Sequence, residues 1–460
     1  MKKSLRLVAF LLVTVMIIPL LAACRPEDTL EMLSDKNRAV KILQLLDERI
    51  QEADSFTVHN ETHIDTIIAD GSTLSVTSTT DQVIHGRSGE SPARIADNVI
   101  EYQSSNYLLN YTVTLSEGYF DGQMFRYVRM PGFESRLYSD ITPEQISEYD
   151  RELYEDSVFS TEDMTSSRAP DGSWVVTIRN IGGEIADRLS YEFASLLVGY
   201  SITSVEVIIT AAEDLSSWTS EVVYQYGQVD DFEFPDGVFY SPVMSNITSF
   251  SGFGSTEAEN PDLDGYTRCD DLSILNSVSN ALNDKILLES AKAVVDIKQN
   301  VLYRGQKATA EEYDVIRYGN GAAGFHYEIT SIVEGITYRI NYADGIKTQQ
   351  GKIYEAVSYD GYERSAIQNL FTCGLFNPLY VESVTKLDEN KYSLDVYMTS
   401  DVANSLSVGD RKFTQGSITV TVTFENGELS AIDITAKAYA LGVSGGAENE
   451  VKVKTRFTTE

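Results

Sequence analysis

Long stretches in which polar and apolar residues alternate constrain the fold of this chain more than any other sequence feature. Residues 55–86 alternate in this way around Asp70-Gly71, a residue pair typical of the tight turn between antiparallel strands. Residues 114–130 repeat the pattern around Asp121-Gly122. Because such strands have one apolar and one polar face, they are typical of antiparallel sheets with one face on a core. The sequence therefore predicts long β-meanders.

Shorter segments have helical periodicity instead. Apolar residues recur at helical spacing in residues 34–55 and again in residues 271–286. Their expected buried positions are Ala39, Ile42, Leu43, Leu46, Ile50 and Ala53 in the first segment and Leu275, Val278, Leu282 and Ile286 in the second. Thr142, Pro143 and Gln145 form the capping-box pattern that begins a third helix. Further helices are predicted near residues 183–197 and 361–371.

The order of these elements recurs, which indicates an internal duplication. The chain has 460 residues, and a single hydrophobic core usually serves a shorter chain. Tyr119-Phe120-Asp121-Gly122 aligns with Tyr342-Ala343-Asp344-Gly345, and residues 202–209 align with 418–424. Residues 241–270 are rich in Ser, Gly, Asn and Asp and lack periodicity. We therefore expect domains at 34–240 and 271–460, with residues 241–270 as a linker.

The amino terminus has the pattern of a secretory signal. Lys2, Lys3 and Arg6 precede an apolar run from Leu7 to Leu21. The next residues, Leu21-Ala22-Ala23-Cys24, resemble the lipobox of bacterial prolipoproteins. That resemblance implies removal of residues 1–23, acylation of Cys24 by chains such as palmitate, and a tether over 24–33. We expect a membrane-anchored protein at the extracytoplasmic face of the bacterial cell membrane.

The order of helix and meander resembles the LolA/LolB lipoprotein carriers and the LppX/LprG lipoproteins. Within residues 229–238, Phe232, Phe234, Pro235, Gly237 and Val238 are similar to the end of such domains. The resemblance implies an α+β fold of two tandem repeats. Each repeat would be a curved antiparallel sheet, an open half-barrel, with helices packed on its concave face. In those families the concave face holds acyl chains or meets a partner.

Composition excludes some partners. The formal net charge is −33, and such a field repels nucleic-acid phosphates, so we expect no nucleic-acid partner. Motifs for nucleophilic catalysis or phosphate binding do not stand out, and we expect a non-enzymatic protein without a cofactor.

Two weak metal hypotheses arise from side-chain spacing. His59, Glu61 and His63 would share one face of a strand, with Asp65 next in line, and could converge on Zn²⁺. The alternative is that this face is simply the solvated side of the strand. A second hypothesis is a calcium loop formed by Asp262, Asp264, Asp270 and Asp271. The alternative is that these aspartates belong to an ordinary acidic linker.

The cysteines and the tyrosines each leave two alternatives open. Cys269 and Cys373 could form one disulfide or remain two buried thiols. The 27 tyrosines could present a sugar-binding surface or could serve cross-strand packing.

Two functions follow as hypotheses. The first is a lipoprotein that binds an apolar ligand, such as a lipid or acyl chain, or an envelope protein in its concave sheets. The second is a structural or protein-interaction lipoprotein with filled cores and no small-molecule ligand.

Overall fold

Antiparallel strands form most of the protein in its computed structural model. The structure describes residues 30–67, 72–89, 91–105, 110–150, 163–181, 200–228, 242–303, 306–321, 324–343, 345–350, 352–353, 360–407, 413, 415–440 and 447–458. Cys24, the Asp70-Gly71 pair, the predicted helix at 183–197 and the motif at 229–238 lie outside these residues.

The first sheet has twelve strands in the described part of the chain. They are β1 (Phe56–Ile67), β2 (Thr73–His85), β3 (Ala93–Ser104), β4 (Tyr111–Phe120), β5 (Gln123–Met130), β6 (Phe133–Asp140), β7 (Met164–Arg168), β8 (Trp174–Ile181), β9 (Tyr200–Ala211), β10 (Trp218–Gln228), β11 (Val243–Ser251) and β12 (Thr267–Arg268). Their order across the sheet is β12-β6-β5-β4-β3-β2-β1-β11-β10-β9-β8-β7, and only β12 runs parallel to its neighbour.

The second sheet has eleven strands in the described residues. They are β13 (Ala291–Tyr303), β14 (Gln306–Gly321), β15 (Gly324–Val333), β16 (Ile336–Ala343), β17 (Ile346–Gln349), β18 (Lys352–Ile353), β19 (Val381–Asp388), β20 (Lys391–Val396), β21 (Gln415–Glu425), β22 (Glu428–Ala440) and β23 (Ala447–Thr458). Their order is β18-β17-β16-β15-β14-β13-β23-β22-β21-β20-β19.

Apart from the two-residue β12 at one edge of the first sheet, the two sheets share one strand order. In each, the first strand pairs with the second strand and also with a strand from much later in the chain, β1 with β11 and β13 with β23. The segments aligned in the sequence take equivalent places, since residues 202–209 lie in β9 and residues 418–424 in β21. Asp121 and Gly122 form the β4–β5 turn with φ of 46° and 74°, as the sequence predicts.

Five α-helices lie in the described residues. They are α1 (Asp35–Glu52), α2 (Pro143–Asp150), α3 (Ile274–Ile286), α4 (Asp360–Thr372) and α5 (Ser400–Ser405). The helical spacing is confirmed for α1 and α3, because Ala39, Ile42 and Leu46 are buried in α1 and the four expected positions are buried in α3. The capping box of α2 is confirmed too: the Thr142 N–H donates to Gln145 Oε1 at 2.9 Å.

The predicted fold class is wrong. The protein is mostly β rather than α+β, with two large sheets and few helices. The expected half-barrels with helices on their concave faces are not observed: α1 contacts mainly β7 and β8, at one edge of the first sheet. The cause is pairing between distant segments, such as β1 with β11, which builds sheets whose own strands supply most of the buried residues.

The predicted linker contains structure that its composition does not reveal. Val243–Ser251 forms β11 in the middle of the first sheet, between β1 and β10. Farther along, Ala258, Leu263 and Tyr266 pack against the buried Phe120 and Phe125 of the same sheet. The domain boundaries themselves stay a prediction.

The two halves meet along β6 and β19. The Cys269 N–H donates to Tyr138 O on β6 at 2.8 Å, and the next N–H, of Asp270, donates to Val384 O on β19 at 3.2 Å. The Ser135 hydroxyl donates to Val381 O at 2.9 Å. Tyr119, Met124, Leu137 and Ile141 of the first half belong to the same buried cluster as the core of the second half.

Candidate functional site

One face of the first sheet carries polar side chains across seven neighbouring strands. Alternate residues of a strand point the same way, so His59, Glu61, His63 and Asp65 of β1 share this face. The row through Glu61 runs from β11 to β6 as Ile247, Glu61, Thr79, Val99, Thr114, Arg129 and Glu134. The row through His59 runs as Ser249, His59, Asp81, Asp97, Ser116, Tyr127 and Arg136. We call this surface the polar face of the first sheet.

The structure does not bring His59, Glu61 and His63 together as metal ligands. His59 Nδ1 lies 2.7 Å from Asp81 Oδ1. His63 Nδ1 lies 3.0 Å from Thr77 Oγ1, and its Nε2 lies 3.2 Å from Asp65 Oδ2. Among the residues described, no group of three His, Cys, Asp or Glu side chains has a metal-binding arrangement. Each imidazole is therefore engaged by a neighbouring side chain on the sheet.

The four aspartates of the calcium hypothesis have separate roles. Asp262 Oδ1 accepts the Asp264 N–H at 2.9 Å, and Asp270 Oδ2 accepts the Lys386 N–H at 2.8 Å. Asp271 is nearly buried and accepts hydrogen bonds from Gln145, Ser273 and Tyr392. These contacts close turns and join the two halves, and in the described structure they do not surround a common point for an ion.

Cys269 and Cys373 are free thiols in the structure. Cys269 Sγ donates to Tyr138 O, and Cys373 Sγ donates to Leu370 O. Burial raises the pKa of each thiol to about 12, with neighbouring carboxylates adding to the effect. Both thiols are therefore poor nucleophiles at neutral pH, and the disulfide alternative is not observed.

Several tyrosines that could have formed a sugar-binding surface serve packing instead. Tyr327 and Tyr342 face each other across β15 and β16 with ring centroids 5.6 Å apart. Tyr119 is fully buried and its hydroxyl donates to Asp150 Oδ2 at 2.7 Å. Burial and the Asp150 carboxylate raise the pKa of Tyr119 far above its usual value.

Two open cavities lie along one end of the polar face. The larger has a volume of about 730 Å³ and is lined by Thr112, Thr114, Arg129, Met130, Pro131, Gly132, Phe133 and Glu134. The other, of about 600 Å³, is lined by Asp65, Thr66, Thr73, Leu74, Ser75, Gln103, Ser104 and Asn110. Half of the residues that line the larger cavity and all but Leu74 in the other are polar, whereas a site for an acyl chain is mostly apolar.

The polar face of the first sheet carries both signs of charge beside the larger cavity. Glu61, Asp81, Asp97 and Glu101 give the face several carboxylates, and Arg129 supplies an exposed guanidinium beside the larger cavity. Beneath that cavity, Phe133 packs on Tyr380 and Tyr397 of the second half, with centroids 5.6 and 5.1 Å away. The larger cavity therefore lies where the two halves meet.

Sequence reasoning missed Arg129, Thr114 and Thr79 as part of this surface. Their place depends on the register of four strand pairs, which local periodicity does not determine. The available signal was the concentration of Thr and Ser at alternate positions of residues 73–85.

Comparisons with known proteins do not assign a family. No protein-family model matches the chain, and no curated protein sequence is similar to it at a significant level. Among solved structures, one match is a double mutant of the vaccine antigen Transferrin Binding Protein B from Haemophilus parasuis, at 7% identity and a TM-score of 0.15 over 89% of this chain and 77% of that one.

Two further solved structures match over most of their length. A Bacteroides fragilis protein assigned provisionally to the outer membrane has 8% identity and a TM-score of 0.19, covering 89% of this chain and 99% of that one. OccK3 from Pseudomonas aeruginosa has 6% identity and a TM-score of 0.16, covering 88% and 96%. At such scores these likenesses carry no argument about fold or function.

In the part of the chain that the structure describes, no helix is long and apolar enough to cross a bilayer.

Proposed function

We propose that the chain is a non-catalytic lipoprotein, anchored through Cys24 at the extracytoplasmic face of a bacterial membrane, that binds an envelope partner through the polar face of the first sheet. The observation that carries the proposal is the polar lining of the two open cavities on that face, around Arg129 and around Gln103. Recognition surfaces that combine hydrogen-bonding groups with complementary charge favour selectivity for a polar partner.

The lipid-carrier hypothesis has less support. A carrier needs a cavity of several hundred Å³ lined mainly by apolar groups. In the described residues of the second half, side chains such as Phe325, Phe371 and Phe413 are fully buried in a contiguous packed cluster. We therefore favour the interaction lipoprotein over the carrier of an apolar ligand.

The anchor is tested by the Cys24→Ala variant. The thiolate of Cys24 is the group that accepts the lipid, so the variant should leave the membrane fraction and appear as a soluble protein. A Cys373→Ala variant is the matched control and should remain in the membrane fraction. Retention of the Cys24→Ala protein in the membrane would contradict the lipid anchor.

The binding surface is tested by site-specific photocrosslinking in intact cells. A photoreactive residue at Thr114 should give a discrete crosslinked product, whereas one at Thr330, on the second sheet, should not. Arg129→Ala should reduce the Thr114 product strongly, and Arg339→Ala, an exposed arginine of the second sheet, should leave it unchanged.

The carrier alternative is tested with the same protein. Native mass spectrometry of the purified chain should show only the covalently attached lipid. A stoichiometric, non-covalent lipid in that spectrum, together with equal crosslinking from both sheets, would favour the carrier instead.

A further inference from the structure

A cluster of two arginines and a tryptophan fixes the chain just after the proposed lipid anchor. The Trp174 ring is only 4% exposed, and the guanidinium groups of Arg38 and Arg168 lie over it, 5.6 and 5.3 Å from its centroid. Stacking of guanidinium groups on an aromatic ring is favourable when the ring is desolvated. We call Arg38, Trp174 and Arg168 the tether clamp.

The tether clamp holds the first described turn of the chain. Arg38 donates from Nε to Leu30 O at 2.8 Å and from Nη2 to Leu33 O at 2.7 Å. Arg168 pairs with the Glu31 carboxylate through Nη1 and with the Glu213 carboxylate through Nη2. Leu30–Met32 therefore forms a short 3₁₀ helix that is bonded both to α1 and to the strand β7.

The clamp leaves little chain between the body of the protein and the anchor. Five residues, 25–29, separate Cys24 from Leu30. Even fully extended, the Cα of Cys24 and the Cα of Leu30 can be at most about 20 Å apart. Residues 30–33, which the sequence predicts to be part of the tether, are bonded to the body of the protein, so the body cannot move far from an acylated Cys24.

The Leu30–Met32 turn and the tether clamp lie at one end of the first half. We propose that this end faces the bilayer surface, so that the protein has a fixed orientation on the membrane. This inference rests on the proposed lipid anchor and goes beyond it, because a long flexible tether would allow every orientation. Met32, at this end, is 75% exposed, more than any other large apolar side chain in the described residues.

Negative charge at this end limits how deeply it can enter the bilayer. The adjacent β7–β8 and β9–β10 turns carry Asp171, Glu213 and Asp214. Hydrogen bonds from Ser173 and Ser216 lower the pKa of Asp171 and of Asp214, so both are ionised at neutral pH. Anionic headgroups repel these carboxylates at short range, and at physiological ionic strength that repulsion is screened beyond about 8 Å.

The test measures distance to the bilayer from two sites on the lipidated full chain. In a Cys373→Ala background, a fluorophore is attached at Met32→Cys or at Ile336→Cys, a second exposed apolar position on a hairpin of the second half. The protein is reconstituted in phosphatidylcholine vesicles that contain an acceptor-labelled lipid. Energy transfer from position 32 should be severalfold stronger than from position 336.

Two variants test whether the clamp sets the orientation. Glu31→Gln and Arg168→Gln should raise deuterium uptake by residues 30–38 about tenfold and should reduce the difference in energy transfer between the two sites. Arg179→Gln is the matched control, because Arg179 pairs with Glu206 on the neighbouring strands at an exposed position. It should change neither measurement.

The outcomes separate the inference from the proposed function. If the chain is acylated and both labels transfer energy equally, the fixed orientation is wrong while the lipid anchor stands. If the clamp variants leave the energy transfer of acylated protein unchanged, the clamp does not set the orientation. If mass spectrometry finds no lipid on Cys24, the anchor and the inference fail together.

Discussion

Lys347 and Glu363 form an ion pair in which the carboxylate is 1% exposed, with Lys347 Nζ 3.2 Å from Oε1 and 3.1 Å from Oε2. The Tyr327 hydroxyl donates to the same carboxylate. The pair joins α4 to β17 and β15, so it attaches the helix to the second sheet. Removing a carboxylate from water costs free energy unless other groups bond to it. Lys347 and Tyr327 are groups that bond to the buried Glu363 carboxylate.

We expect Lys347→Met to lower the free energy of unfolding by about 3 kcal/mol, because it leaves a buried carboxylate without its cation. Urea unfolding of the variant and of the parent measures the difference. Lys298→Met is the control, since Lys298 and Glu311 form an exposed pair that should contribute less than about 1 kcal/mol. Equal losses from both variants would contradict the argument.

Gly319 on β14 has no room for a side chain. A Cβ at this position would lie 2.2 Å from Glu289 O, a backbone atom that cannot move away cheaply. We expect Gly319→Ala to lower the free energy of unfolding by about 2 kcal/mol. Gly321→Ala, on the same strand, would meet nothing closer than 3.8 Å and should be nearly neutral in the same denaturation experiment.

Asp271 connects the two halves through side-chain hydrogen bonds. Its carboxylate accepts from Gln145 Nε2 at 3.1 Å, from Ser273 Oγ at 2.6 Å and from the Tyr392 hydroxyl at 3.2 Å. We expect Asp271→Ala to cost about 2 kcal/mol, because these donors lose a charged acceptor in a buried place. Asp262→Ala, at an exposed position, should cost less than about 0.5 kcal/mol in thermal or urea unfolding.

The raised thiol pKa values predict slow alkylation. In a Cys24→Ala background at pH 8, Cys269 and Cys373 should react with iodoacetamide far more slowly in the native protein than in urea. Since the pKa of each thiol rises from about 9 to about 12 on folding, the unfolded chain releases protons first. The thiol contribution to stability is therefore complete below pH 9 and decreases as the pH rises towards 12. Rapid modification of both native thiols would contradict the burial argument.

Local patterns predicted individual elements well. The capping box of Thr142 and Gln145 and the turn at Asp121-Gly122 depend on neighbours in the sequence, and the structure contains both. The buried positions of α3 were likewise readable from their spacing. For the capping box and the turn, the interactions that favour the conformation join residues only a few positions apart.

Features that depend on distant residues could not be read in this way. The strand at Val243–Ser251 looks like linker because its Ser, Asn and Thr residues bond across the sheet, as when Asn60 Nδ2 donates to Thr248 Oγ1 at 2.8 Å. The polar face needs the register of seven strands, and the tether clamp joins residues more than a hundred positions apart, Arg38 and Trp174. The wrong fold class came from the resemblance to the LolA/LolB carriers, which implies helices on the concave face of each sheet. Pairing between distant strands, β1 with β11 and β13 with β23, instead builds the large sheets of a mostly β protein.

The shared strand order has a consequence for biogenesis. In each half the opening strand lies between the second strand and the closing strand, so neither sheet can be completed before its last strand is available. In a chain exported from its amino terminus, β1 could pair with β11 once Ser251 has emerged, with only the two-residue β12 still to join the edge, while β13 must wait for Thr458. Until then β13 has an unpaired edge, and unpaired edges favour aggregation. For a chain exported as proposed, chaperone assistance should therefore matter most before β23 has emerged to pair with β13.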